Sequence, residues 1–279
     1  GEVERFADQA TQVLSVSQPP RTLYFWQPGQ STAATVYNFA LRALARVPDD
    51  PKRPLPQHKL LWQTAQLIFG KQPPDKKTVC FWQHLAYKML QEQLVALPMA
   101  KVTAVAGAIA QDEDGQVDRS LANQLQKSIK NNPLFILWGN ETVSCRDTLW
   151  RDFLAAGFLV KQGDEAEAAV DLYEAEWAQV LRFYVAQKSP VSLARQLLQG
   201  QDNTPSRESV FQAASWLPVA SEKGEWRRQT MILLGQMVRS ATSFSNVIRQ
   251  RALAALAQSN EPGVMTFVSQ LLERTDPFL

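Results

Sequence analysis

The stretch Asn246-Val247-Ile248-Arg249-Gln250-Arg251-Ala252-Leu253-Ala254-Ala255-Leu256-Ala257-Gln258, then Ser259-Asn260-Glu261-Pro262-Gly263, then Val264-Met265-Thr266-Phe267-Val268-Ser269-Gln270-Leu271-Leu272-Glu273-Arg274, decides the fold. Ile248, Ala252, Ala255 and Leu256 recur at the three- and four-residue spacing that puts them on one face of a helix. Phe267, Val268, Leu271 and Leu272 do the same for a second helix. Asn260-Glu261-Pro262-Gly263 between them is turn chemistry, because proline and glycine punctuate a helical pattern. The alanines keep the first helix slim enough for close packing. Thr275-Asp276-Pro277 ends the second helix, since proline lacks the N–H that the helix interior needs.

Upstream, the same grain begins at Ser206. Glu225 to Ser240 carries Met231, Leu234, Met237 and Val238 on one face, and short turns separate helices of similar length. The run from Val247 to Ala257 resembles the inner helix of a HEAT repeat. The turn at Asn260 to Gly263, the helix through Leu272 and the closing Thr275-Asp276-Pro277 are similar to the remainder of that unit. The resemblance implies an α-solenoid over 206–279, whose repeats bury a continuous core only by stacking. It also implies a structural role for Arg249, because an arginine early in the inner helix of such repeats pairs with an acidic residue at the end of the preceding helix. Arg251 is expected on the surface. In the family, the residues after the aspartate-proline open another repeat, whereas here they are Phe278-Leu279. The chain is therefore expected to be a fragment that starts at a cut or cloning scar at Gly1 and continues beyond Leu279. Otherwise the apolar edge of Leu256, Leu271, Leu272, Phe278 and Leu279 is expected to be covered by a partner or by self-association with a second copy.

Residues 1–200 resemble no family but read as an irregular helical domain. Periodicity predicts helices through Val3 to Leu14, Ser31 to Val47, His58 to Phe69, Thr78 to Leu97 and Lys101 to Ala110. Further helices are expected over Arg119 to Lys130 with Asp118 as cap, Ser144 to Leu159, Asp164 to Gln187, and Pro190 to Gly200. Asp164, Glu165 and Glu167 load the first turn of the penultimate one, where carboxylates favour the helix dipole. Four prolines make 48–56 a loop. Only Thr22 to Trp26 and Leu134 to Trp138 have strand character. The expected class is all-α with at most one or two short strands, an irregular domain over 1–200 preceding HEAT-like repeats over 206–279.

Composition narrows function by exclusion. Twenty-nine basic against 27 acidic residues give a net charge of +2, without the strong basic excess usual in nucleic-acid binding. No apolar run approaches the roughly 20 residues that span a bilayer. Two cysteines, Cys80 and Cys145, are too few for a disulfide scaffold and fit buried thiols in a reducing, cytoplasmic setting. Gly70-Lys71 lacks the upstream glycine and strand of a phosphate loop. His58 and His84 have no second ligand at metal-site spacing. Cys80 and His84 share a helical face, which a thiolate–imidazole pair requires but which is commonplace. Asp112, Asp114 and Asp118 fail the calcium-loop pattern, because aligning Gly115 with the loop glycine puts Leu121 where the bidentate glutamate belongs. The acidic turn is read as a turn. No cofactor, metal or catalytic residue is expected.

Most of the eight tryptophans fall on apolar helix faces and are expected in the core. Trp226-Arg227-Arg228 stands apart beside the charged Glu222-Lys223-Gly224-Glu225, and an exposed tryptophan with arginines is typical of a protein-binding hot spot. Trp226, Arg227, Arg228 and Arg251 are the candidate partner-binding residues. The leading expectation is a non-enzymatic adaptor or scaffold that binds another protein through its repeat surface, a reading that rests partly on what such folds generally do. One alternative is a nucleic-acid-binding helical-repeat protein, since some HEAT-like proteins use tryptophan with arginine in that way. Another is an enzyme subunit resembling the bilin lyases, which are built from related repeats.

Overall fold

The computed structural model describes residues 58–59, 61, 63–65, 74–130, 132–163, 170–199, 206–220, 224–240, 243–259, 261 and 263–273. The backbone divides into two units, 1–76 and 77–279. In the first, the described residues 58, 59, 61 and 63–65 are helical, with Leu61, Thr64 and Ala65 buried at the expected three-and-four spacing. The expectations for residues 1–57, Trp62 and the extended stretch Thr22 to Trp26 lie outside the described residues.

The second unit begins on α1 (Lys76–Gln91), which presents Phe81, Trp82, Leu85, Ala86, Tyr87, Met89 and Leu90 to the core. Helix expected to Leu97 stops at Gln91, because Gln93 adopts a left-handed φ of 54° and turns the chain. Ala96–Pro98 then forms β1, followed directly by α2 (Met99–Ile109) and α3 (Arg119–Lys130). Asp118 caps α3 as expected, its Oδ1 accepting from the Ser120 and Leu121 amides. Asp112 organises the preceding turn by accepting from the Asp114 and Gln116 amides.

Phe135–Trp138 is the strand β2, in agreement with the sequence pattern. The helix expected from Ser144 is instead strand β3 (Thr142–Cys145), followed by α4 (Thr148–Gln162). Asp147 separates them, accepting from the Leu149 amide at 2.7 Å and starting α4 four residues later than expected for an uninterrupted helix from Ser144. The sheet has three strands in the order β1-β3-β2, both pairings antiparallel. Three strands exceed the one or two expected. Leu97, Val143 and Leu137 lie opposite one another across the sheet, and Leu97 and Val143 are fully buried. Helices nonetheless account for 68 % of the described residues, so the all-α class holds with a small sheet added.

Of the helix expected over 164–187, residues 164–169 with Asp164, Glu165 and Glu167 lie outside the described residues, and over 170–187 the helix is α5 (Ala175–Val185). Asp171 accepts from the Tyr173 amide and folds 170–174 into a turn that the apolar spacing did not disclose. α1, α4 and α5 share an aromatic seam: Tyr87 stacks on Phe158 at 4.5 Å and meets Trp177 edge-on at 5.9 Å, and Phe153 meets Phe183 at 5.8 Å. Gly157 of α4 faces Gln83 of α1, and a Cβ there would fall 2.2 Å from Gln83 Nε2.

Five helices follow: α6 (Val191–Gln199), α7 (Glu208–Trp216), α8 (Glu225–Arg239), α9 (Asn246–Gln258) and α10 (Gly263–Glu273). α6, α8, α9 and α10 match the sequence boundaries within a residue or two, because turn residues or caps bracket them, such as Ser245, which accepts from the Ile248 amide. α7 packs on α6, α8 and α9, and α8 packs along α9. Arg249 is 1 % exposed, and its Nε donates to the Val238 carbonyl at 3.1 Å, satisfying an orphan acceptor of α8's last turn. This bond goes to a backbone carbonyl of the preceding helix, the helix in which the acidic partner was expected. Leu256 is buried, so it does not belong to an open apolar edge, while the other residues proposed for that edge have side chains outside the described set.

Candidate functional site

The exposed face of α8 reads Glu225, Arg228, Met231/Ile232, Gly235/Gln236, Arg239, a stripe repeating every three or four residues. Gly263, Val264 and Phe267 of α10 face it, Leu256 of α9 lies beneath, and together they line a groove of about 710 Å³. Its lining is largely apolar. Ile232 is 49 % exposed, unusual for an isoleucine set among arginines. At the centre, Gly235 and Phe267 oppose each other so closely that a Cβ on the glycine would meet Phe267 Cζ at 3.7 Å, an ordinary contact.

Charge is placed at the two ends. Arg227 donates to Glu261 Oε1 from Nε at 2.9 Å and from the terminal guanidinium nitrogen at 2.5 Å, tying the start of α8 to the turn before α10. Arg239, at the other end, lies with its guanidinium carbon 4.8 Å from the Phe267 ring centre, an orientation that the ring's negative face favours. Arg228 is exposed on the groove wall, and Glu225 sits at its rim in the first turn of α8.

The four residues singled out from sequence separate in space. Trp226 is only 5 % exposed and meets Trp216 edge-on at 6.2 Å, so it belongs to the core and is not the surface anchor expected. The apolar demand of the α7–α8 contact wins over the charged neighbours in sequence. Arg227 and Arg228 line the groove. Arg251 lies on α9, paired through both terminal nitrogens with Glu208 at 2.7 and 2.8 Å and stacked 4.1 Å from the Phe211 ring centre. The Glu208 bond holds its pKa above the ordinary arginine value. It fastens α9 to α7.

Ile232, Gly235, Arg239 and Phe267 were not singled out from sequence as site residues. The stripe on α8 repeats at helical spacing in the sequence, but nothing local says that Phe267 of α10 meets it beside Gly235 and Arg239. Four of the tryptophans expected in the core are buried there, Trp82, Trp150, Trp177 and Trp216, and Trp226 joins them against expectation. Among the described tryptophans the exposed one is Trp138 (56 %), whose Nε1 donates to Ser144 Oγ across the hairpin.

The remaining chemical groups are scattered. His84 stacks on Phe158 at 4.6 Å, and burial, then Lys88, lower its pKa. His58 is likewise lowered by burial and by Lys59. Burial pushes the Cys145 thiol up to about 12, which keeps it protonated at neutral pH. Asp152 of α4 is buried beside Arg151, and desolvation raises its carboxyl to about 6 against the pull of that arginine. Among the described residues, no three His, Cys, Asp or Glu side chains cluster as a metal would require. Also among them, no helix is long and apolar enough to cross a membrane. Against family models, curated proteins and solved structures alike, the chain has no significant match.

Proposed function

We propose that this protein is a non-enzymatic adaptor and that the groove between α8 and α10 is where it takes hold of another protein. The observation that carries the reading is the groove itself: about 710 Å³ of largely apolar lining, open along one side, with arginines at both ends. An apolar centre within a polar rim is the general anatomy of a protein-binding patch. The helix–turn–helix run of α7 to α10, with slim Ala252 and Ala255 in α9 and the buried Arg249 gripping the preceding helix, favours a HEAT-like arrangement for this part. Such arrays present extended surfaces to partners. A nucleic-acid reading has less support, since Arg227 and Arg251 are held by carboxylates and Trp226 is buried.

Photo-crosslinking tests this directly. A benzophenone side chain at Ile232 is expected to capture a protein in cells, whereas the same group at exposed Tyr173 of the 170–174 turn captures none of it. Equal capture from both positions, or none from 232, sinks the reading.

A further inference from the structure

Resting on the reading of this groove as a protein-binding site, we infer that its occupant is an amphipathic helical segment with carboxylates flanking an apolar face. Three arginines and two glutamates line the groove, and one of the glutamates, Glu261, is committed to Arg227. Arg228 and Arg239 stand eleven residues apart on the same stripe of α8, about 16 Å along its axis at 1.5 Å per residue. Between them the lining is Met231, Ile232, Gly235, Gln236 and Phe267. Arg228 and Arg239 outnumber Glu225, which lies one turn outside Arg228, so the recognition surface is cation, mainly apolar floor, cation. A helix laid along it meets the floor with residues at i, i+3, i+4 and i+7, the usual anchors of helix-in-groove binding. Acidic side chains about three turns apart on that helix fall opposite the two arginines in either chain direction.

Two features make the arginines fit this role. Arg239 lies over the Phe267 ring at 4.8 Å, a contact that favours one placement of its guanidinium before binding, and its N–H groups can take a bidentate carboxylate. Arg228 is exposed on the wall, next to the floor. The glycine at 235 leaves the centre open. Any larger side chain at that position would extend from a Cβ already touching Phe267 and fill the space where an anchor would sit.

The test uses a fluorescein-labelled model peptide of about 18 residues, helical, with leucines at i, i+3, i+4 and i+7 between two glutamates eleven residues apart, and its counterpart with lysines for the glutamates. The full chain is expected to bind the acidic peptide at least tenfold more tightly than the lysine peptide in fluorescence anisotropy, with affinity falling as salt rises. Arg228→Glu with Arg239→Glu is expected to reverse that preference. Gly235→Leu, which improves helix propensity and so keeps α8 folded, is expected to abolish binding of both. Equal binding of the two peptides, or acidic binding untouched by Gly235→Leu, overturns the inference. So does binding to phosphatidylserine–phosphatidylcholine vesicles, lost in the double arginine variant, without binding of either peptide. A crosslink from 232 to a protein together with no acidic-peptide binding overturns the occupant's chemistry alone. Absence of that crosslink overturns the adaptor reading as well.

Discussion

Arg227 and Glu261, thirty-four residues apart, are joined through two nitrogens on one carboxylate oxygen and hold the start of α8 to the entrance of α10. Their side chains are largely screened from water, at 12 % and 24 % exposure. The pair therefore sets the width of the groove at one end. Replacing Glu261 with Gln removes the charge while keeping an acceptor. The expected loss is about 1 kcal/mol of global stability, more than a surface pair and less than a fully buried one. Hydrogen exchange should show faster opening of α10 than of α9 in that variant. Unchanged exchange in α10 would mean that the pair does not secure it.

Arg249 and Arg251 lie two residues apart on α9 and should behave differently. Arg249 is buried with its guanidinium on a main-chain acceptor, so Arg249→Ala opens a cavity and orphans the Val238 carbonyl. A loss of about 3 kcal/mol is expected in urea unfolding. Arg251, paired on the surface with Glu208, should lose less than about 1 kcal/mol on the same change. Similar losses at both would contradict the burial described.

Asp152 predicts a slope of stability with pH. Burial raises its carboxyl from the ordinary 3.8 to about 6, with Asp147 and Glu176 adding to the rise and Arg151 opposing it. Between those values the folded chain binds more protons than the unfolded one, so its contribution is full below 3.8 and lost as pH rises to about 6. A shift of this size corresponds to roughly 2–3 kcal/mol. Asp152→Asn should flatten the stability profile across that window in chemical unfolding at stepped pH. A wild-type profile with no fall between pH 4 and 6, or one that Asn leaves unchanged, would refute the assignment.

Cys145 should be inert. With its thiol pushed up to about 12 it is protonated at pH 8, and alkylation requires the thiolate. Iodoacetamide mass spectrometry of the native chain should find 145 unmodified until denaturant is added. Rapid native labelling there would contradict it.

Gly157 faces Gln83 across the α1–α4 contact, and a methyl group there requires the buried Gln83 side chain to move. Gly157→Ala should lower stability by about 1–3 kcal/mol despite improving helix propensity. Thermal unfolding decides the sign, and a stabilised variant would show that Gln83 gives way freely.

Helix positions in the second unit were legible because an α-helix is a local object, bonded from each residue to the one four before it and announced by caps such as Asp118 and Ser245. α8, α9 and α10 were read almost to the residue for that reason. Strands β1 and β3 were not, since Ala96–Pro98 and Thr142–Cys145 are too short to show a pattern and are fixed by pairing, β1 with β3 across more than forty residues and β3 with β2 in a hairpin. Exposure was equally illegible. Trp226 sits among charges in the sequence yet faces Trp216 in the core, while Trp138, in an apolar run, is exposed at the end of a hairpin. Burial is decided by what arrives from elsewhere in the chain. The groove follows the same logic: the stripe on α8 is written locally, but that Phe267 of α10 meets it beside Gly235 and Arg239 and leaves a groove alongside is a property of how the helices pack.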